Sequence, residues 1–462
     1  MKLPKILILL FLIILINTGD IEIDFSKTLT TNSDYTVERN TVILSNEDIV
    51  YNLTGSSNNY NIKISVSCSI NLNSLTLSSP SFAPILIEEN KVVNISLNGE
   101  SNLIDTSSNQ NDGVIYLNEE AKLIIDGKGI LNISPNKHMG IFGTESSSLI
   151  VNGGTINIKS NANNVGGIYL SKEIIFNDGN YNFNIDINAL NNINPPSAID
   201  SNGFITIKKG KYDIISGEGK GIKTDSYLYI GNSGDNDKDL ELKIETRNKG
   251  IEAKRIEILS GNISITSYGD GINAINDQCN INCTGNCDCY MKIEGGNITI
   301  NSGEDGIDSK GDIFINNGQL VVFGASSGDN QPIDKDGLLK ISGGIVLAGG
   351  SPVLGGVQAN TTQTEGVYVK HIDMGAIIEF YEEKGNTQII EVKAPKAVEY
   401  LYFSFAEKNF IMKLNDVKVD TNSTSIFNLK QPDSTQNMFL DSNSFFIGLS
   451  NIFFVLLAFI LF

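Results

Sequence analysis

The chain has 462 residues, a net charge of −19, 44 glycines, 10 prolines and no tryptophan. Such a composition excludes collagen and proline-rich linkers. So acidic a chain also lacks the clustered cations that nucleic acid demands, which leaves a soluble surface protein, a cation binder, or both.

In chain order, the first element is "MKLPKILILLFLIILINTGD", in which Lys2 and Lys5 precede an apolar run from Ile6 to Ile16. That run is too short to span a bilayer, and it predicts a secretory signal peptide over residues 1–19. Eight N-x-S/T sequons follow, at Asn52, Asn94, Asn132, Asn262, Asn282, Asn297, Asn360 and Asn422. They fit a glycosylated, exported chain, although an asparagine-rich sequence produces several such triplets by chance.

From residue 20 to 355 the sequence repeats itself. "LIIDGKGILNIS" from Leu123, "LIVNGGTINIKS" from Leu149, "IEILSGNISITS" from Ile256 and "MKIEGGNITINS" from Met291 share one plan. Each is a short alternating strand, a glycine corner and a second alternating strand. A third short strand lies between them: "AIDSN" at Ala198, "GIKTD" at Gly221, "GIEAK" at Gly250, "GINAI" at Gly271 and "GIDSK" at Gly306. Three strands per repeat predict an all-β fold, a right-handed parallel β-helix, rather than a β-sandwich with its unregistered strands.

Strand alternation sets which side chains face out. In the third strand the isoleucine points inward and the residue two further on, also inward, is small: Ser201, Thr224, Ala253, Ala274 and Ser309, with Lys335 breaking the pattern. The first outward position reads Ile115, Phe142, Tyr169, Asp200, Lys223, Glu252, Asn273, Asp308 and Asp334; the next ends Asn202, Asp225, Lys254, Ile275, Lys310 and Asp336.

Coils stack about 4.8 Å apart. Two carboxylates at that distance repel by roughly 3.5 kcal/mol at an effective dielectric of 20. Lysines can offset this, and Lys223, Lys254 and Lys310 stand on the same face. Calcium can offset it too, because one ion between coils reaches oxygens from both. Glu252, Asp270, Asn273, Glu304, Asp305 and Asp308 form one candidate cage, and Asp329, Asp334 and Asp336 another. The turns "GDG" at Gly269 and "EDG" at Glu304 are expected to give the backbone freedom to aim carbonyls at an ion. The alternative is a solvated acidic face laced by salt bridges.

Cys279, Cys283, Cys287 and Cys289 fall in the insertion "QCNINCTGNCDCY", where two disulfides are expected in an exported chain. Cys287 and Cys289 are too close to pair with each other, and the spacing is a poor zinc pattern. Cys68 is left over as a buried thiol. Residues 365–430 alternate again, as in "EYLYFSFAE", and read as a small β-rich C-terminal cap. The chain closes on an apolar tail preceded by Asp433, Ser434 and Thr435, so 433–462 reads as a glycosylphosphatidylinositol attachment signal, with a tail anchor as the alternative.

Taken together, "GDGI…GGNITI…EDGIDSKGDIFINNG" and "DKDG…ISGGIVLAGGS" resemble the calcium-binding, carbohydrate-binding β-helix family of cellulolytic anaerobes. The likeness is good over 203–351, weaker to about 429 and general before Ala198. It implies a pectate-lyase-like fold, Ca²⁺ at the acids around Asp270, Asp305 and Asp308, and binding of cellulose or acidic pectic sugars; the cysteine insertion departs from the pattern. The function expected is non-catalytic, calcium-dependent binding of plant or microbial cell-wall polysaccharide by a protein held at the cell surface by a lipid anchor. A calcium-dependent pectate lyase is the rival; it would need a lysine base such as Lys223, Lys254 or Lys310. A structural coat or adhesin is the third reading. A glycosidase needs two carboxylates flanking the sugar bond, and none is singled out here. The two histidines, His138 and His371, do not make a polygalacturonase site.

Overall fold

The computed structural model describes residues 19–430 apart from 48, 81, 108–112, 161, 163–164, 186–194, 236, 276–287, 352–356, 385–386, 408 and 420–425. The expected leader up to residue 18, Asn282, Asn422, Cys279, Cys283, Cys287 and the tail from 431 lie outside the described residues. Among the described residues regular structure is strand throughout, save for a 3-10 turn at Asp237–Asp239.

The strands arise where the sequence alternates isoleucine, leucine or valine with polar residues, a pattern that suits a half-buried pleated surface. Through the repeats, each strand pairs in parallel with its counterpart one repeat later, so three parallel ladders build the repeat region up to Gly350. The first face carries Ile85–Ile87, Ile115–Leu117, Met139–Gly143, Gly166–Leu170, Ile199–Ser201, Ile272–Ala274, Ile307–Ser309 and Ile333–Lys335. The second carries Val92–Asn98, Lys122–Gly127, Ser148–Val151, Glu173–Phe176, Phe204–Ile207, Tyr290–Ile293, Asp312–Ile315 and Leu339–Ile341. The third runs from Glu100–Asp105 to Ile345–Gly350. In two coils the corner between the first and second faces is smoothed away, and the single strands Ile222–Ile230 and Ile251–Ile258 serve both. The result is a β-helix-like solenoid. Inward side chains from all three faces form one continuous apolar core.

The expected outward column of the first face is found, with one correction. Its rungs pair as Asp200↔Lys223, Lys223↔Glu252, Glu252↔Asn273, Asn273↔Asp308 and Asp308↔Asp334. Ile115, however, pairs with Ile141 and is fully buried; Tyr116 is the outward residue, paired with Phe142. The alignment by "GVIYL" slips by one there, because Val114 and Ile115 are both apolar and the pattern does not say which points in.

The glycine before each isoleucine has a different cause from the one expected. Neither Gly271 nor Gly306 has a positive φ. A Cβ on Gly271 would lie 2.3 Å from Ile300 Cγ2 and 2.4 Å from the Gly306 carbonyl oxygen; one on Gly306 would lie 2.0 Å from Val322 Cγ1. Close approach of coil to coil excludes the side chain, and backbone freedom is not at issue.

At the C-terminal end, Tyr400–Phe405 pairs antiparallel with Ile345–Gly350, the last strand of the third face, and with Thr364–Tyr368. A separate antiparallel sheet, Ile377–Glu382, Gln388–Lys393, Phe410–Leu414 and Val417–Lys418, packs beyond it. Val321, Phe323 and Leu347, outward on the third face, are buried with Phe380, Phe403, Phe405 and Met412 in a second core.

Candidate functional site: charged columns on the first face

The first face brings three outward columns together. The two anticipated ones lie one and three residues after each inward isoleucine. A third lies two residues before it; sequence reasoning names its Asp270 and Asp305 as candidate ligands but misses the column and its lysines. This column reads Lys220, Lys249, Asp270, Asp305 and Gln331, and successive members are tied by backbone bonds from Gly221 to the Lys249 carbonyl, Gly250 to Asp270, Gly271 to Asp305 and Gly306 to Gln331. The sequence signal is available: four members stand before the glycine of a recurring G-I pair, and Gln331 stands before the corresponding Pro332–Ile333.

Lysines hold the upper half. Lys220 Nζ is 2.5 Å from Glu252 Oε1, and Lys249 Nζ is 3.1 Å from Asp270 Oδ2 and 3.5 Å from Glu252 Oε2. Lys223 pairs with Asp225 at 3.4 Å, and Lys254 with Asp288 at 2.9 Å. Burial pulls the Lys223 and Lys249 ammonium groups down, but the carboxylates of Asp200 and Asp270 outweigh it and leave both raised.

Acids hold the lower half. Asn273 Nδ2 donates to Asp270 Oδ2 at 2.7 Å and to Asp308 Oδ2 at 3.0 Å. Asp270 Oδ1 accepts from the Asp305 backbone N–H at 3.2 Å, and Asp305 Oδ1 accepts from Gln331 N–H at 2.5 Å. Burial lifts Asp305 to about 7; the Gln331 bond opposes this and the charges of Asp270, Asp334 and Asp308 add to it. Burial likewise lifts Asp308 to about 6, against the pull of Lys310 and with the push of Asp270 and Asp334. Lys310 sits 3.6 Å from Asp308 and 3.7 Å from Asp336. Two oxygens here have no hydrogen-bond partner: Asn273 Oδ1 and Asp308 Oδ1, on residues 1% and 7% exposed. The Asp308 oxygen still faces the Lys310 ammonium at 3.6 Å, whereas the Asn273 oxygen is a buried acceptor without a donor, which is costly.

Of the first candidate cage, Asp270, Asn273, Asp305 and Asp308 come together. Glu252 is drawn to lysines, and Glu304 is exposed. Of the second, Asp329 is exposed, Asp334 accepts from Lys335 N–H at 2.8 Å and Asp336 faces Lys310. Among the described residues no three His, Cys, Asp or Glu side chains converge as a ready-made metal site. Any ion would need Asn273 or backbone oxygens as well.

Elsewhere, Cys289 is fully buried, and Cys68 is a buried free thiol whose pKa burial pushes up to about 12. The six described sequon asparagines lie in strands, not in the surface loops expected of acceptors. Asn52 is 7% exposed and accepts a bond from Asn71 at 2.7 Å. Asn132 bridges Asn102 and Asn157 in a side-chain ladder. Asn262 is half-buried, and Asn94, Asn297 and Asn360 are exposed.

A stacked β-solenoid presenting registered polar columns is the architecture of a repeat protein with an extended binding surface. The chain belongs to the carbohydrate-binding domain-containing protein family, whose model matches residues 32–236 and 238–377. No curated protein matches it. Among solved structures it is similar to the polysaccharide lyase-like protein from C. thermocellum, determined as a gadolinium derivative, at 16% identity. That likeness covers 70% of this chain and 96% of the other, with a TM-score of 0.33, too low to bear on function.

Proposed function

We propose that the protein binds polysaccharide through the charged columns of its first face, without cleaving it, and that an acidic, uronate-containing chain is the preferred ligand. The observation that carries the reading is the buried, unpartnered Asn273 Oδ1 beside Asp308 Oδ1, which has only a long ion pair to Lys310 at 3.6 Å, inside a carboxylate cluster that Asp270 and Asp305 complete. Ca²⁺ suits that donor set: hard oxygens, several of them anionic, on adjacent coils. Bound there, it would neutralise the cluster and offer open coordination to a sugar carboxylate. Lys220, Lys223 and Lys249 would add charge-assisted hydrogen bonds beside it. The coils are taken to wind right-handed, as parallel crossovers do in general.

The lyase reading is less well supported, because a base must be able to lose its proton. Lys223 and Lys310 are held charged by the acids around them. Lys396, which burial shifts downward, donates its ammonium hydrogen to the Ser302 carbonyl in a separate contact.

Polygalacturonate titrated into the protein with calcium and with chelator tests the proposal. Binding that needs calcium, falls at least tenfold in Asp305→Ala/Asp308→Ala and leaves no ultraviolet-absorbing unsaturated product supports it. Unsaturated product lost on Lys310→Ala would establish the lyase instead. Export and tethering are part of the same proposal; release of the protein from cells by phosphatidylinositol-specific phospholipase tests the anchor.

A further inference from the structure

The second face carries a separate array that no part of the charged-column reading uses. Phe204, Tyr227, Arg255 and Tyr290 stand on successive coils in one outward column, as the pairings Ile205↔Leu228, Tyr227↔Arg255 and Arg255↔Tyr290 require. Tyr229, Glu257 and Lys292 form the column beside it. Each alternates with a buried core residue (Ile205, Leu228, Ile230, Ile256, Ile258, Met291), so all seven project outward.

The array is rigid. The Phe204 and Tyr227 rings lie 5.5 Å apart, and the Tyr227 and Tyr229 rings are parallel within 1° at 6.0 Å. The Arg255 guanidinium sits 4.5 Å over Tyr227 and 5.7 Å from Tyr290. Its Nε donates to the Asp288 carbonyl at 2.8 Å and its Nη2 to the Asp288 carboxylate. Tyr290 donates its hydroxyl hydrogen to Glu257 at 2.6 Å. Ordering costs that a ligand would otherwise meet are therefore already borne by the fold.

Two rings keep open surface. Phe204 is 46% exposed at the end of the aromatic run, where the next rung is Glu173 and no ring covers it. Tyr229 is flanked in its own column by Thr206 and Glu257, again not by rings. An aromatic with an apolar body and polar neighbours is suited to the C–H face of a sugar, while arginine and carboxylate groups take its hydroxyls.

The charge of this surface selects among sugars. Arg255 and Lys254 are balanced by Asp288, and Lys292 by Glu294. On a chain of net −19 this is a locally neutralised patch, unlike the first face. We infer that the second face, around Phe204, Tyr227, Tyr229 and Arg255, is a binding surface for an uncharged polysaccharide chain lying along the solenoid axis. This rests on the carbohydrate-binding family, not on the uronate reading of the first face.

Calorimetry with cellohexaose, xylohexaose and mannohexaose tests it on the full chain. At least one should bind, and Phe204→Ser and Tyr229→Ala should each weaken that binding about tenfold or more. Neither should alter polygalacturonate binding, and the Asp305→Ala/Asp308→Ala pair should leave the neutral ligand untouched. Both are outward positions, and equal melting temperatures would show that the fold is kept; Arg255→Lys, which keeps charge but loses the planar fork, is a second variant expected to weaken binding. No binding of any of the three hexasaccharides, or unchanged affinity in Phe204→Ser and Tyr229→Ala, overturns the inference even if the first face proves to bind uronate.

Discussion

Asn273 and Asp308 occupy neighbouring rungs of one outward column, and the amide of the first donates to the carboxylate of the second at 3.0 Å while also reaching Asp270 at 2.7 Å. An amide at that rung does what a third carboxylate could not: it supplies two donors between two acceptors. Asn273→Asp should therefore cost about 3 kcal/mol or more at neutral pH in chelator, the scale of an uncompensated buried charge. Differential scanning calorimetry should show a smaller loss at pH 5 than at pH 7, and calcium should narrow the gap.

The pH response of the metal-free protein follows from Asp305 and Asp308, whose folded pKa values lie at about 7 and about 6 against an ordinary 3.8. The folded chain holds these protons more tightly than the unfolded chain. Their contribution to stability is thus present at low pH and is lost as pH rises from about 4 through about 7. In chelator, the difference in melting temperature between wild type and Asp305→Asn/Asp308→Asn should shift against wild type across that window. Calcium should stabilise wild type more at pH 7.5 than at pH 5, because ion and proton compete for the same oxygens. A calcium effect independent of pH would place the ion elsewhere.

Packing sets a third expectation. Gly306→Ala places a methyl group 2.0 Å from Val322 Cγ1 and 2.4 Å from the Pro332 carbonyl oxygen. Overpacking of this kind costs about 1–3 kcal/mol. Gly269→Ala, whose Cβ would meet nothing closer than 3.2 Å, should cost less in urea denaturation.

The expected disulfide is open to direct mapping. If the insertion is cross-linked as its cysteines suggest, peptide mass analysis of the unreduced protein should find Cys289 joined to Cys279 or Cys283, and Cys68, free and buried, alkylated only after unfolding. Recovery of Cys289 as a free thiol would overturn the expected cross-link.

How far the sequence revealed this molecule depended on what repeats. The isoleucine-x-small strand placed Asp200, Lys223, Glu252, Asn273, Asp308 and Asp334 in one column because alternation and inter-coil stacking both act on every copy. Where two apolar residues adjoin, as at Val114 and Ile115, the period gives no phase and the reading slipped. Lys220 and Lys249 were missed because they precede the strand, in a turn whose register is fixed by backbone bonds that no side-chain pattern announces. The aromatic array was missed for another reason: Tyr227 and Tyr229 belong to a strand that runs through a corner, with a register shift between Thr224 and Tyr227.

The antiparallel strand Tyr400–Phe405 also has a bearing on assembly. A parallel solenoid is open at both ends, and each terminal strand offers its unpaired backbone groups to whatever strand arrives next. By reversing direction on Ile345–Gly350 and layering Phe380, Phe403 and Phe405 over it, the chain ends that face with a strand unlike any inside the stack. At the other end, Tyr35–Glu38 folds back antiparallel on Thr41–Leu44, the first strand of its ladder. Both reversals oppose the parallel addition of a further strand to those two ladders, which is how a self-templating edge is blunted.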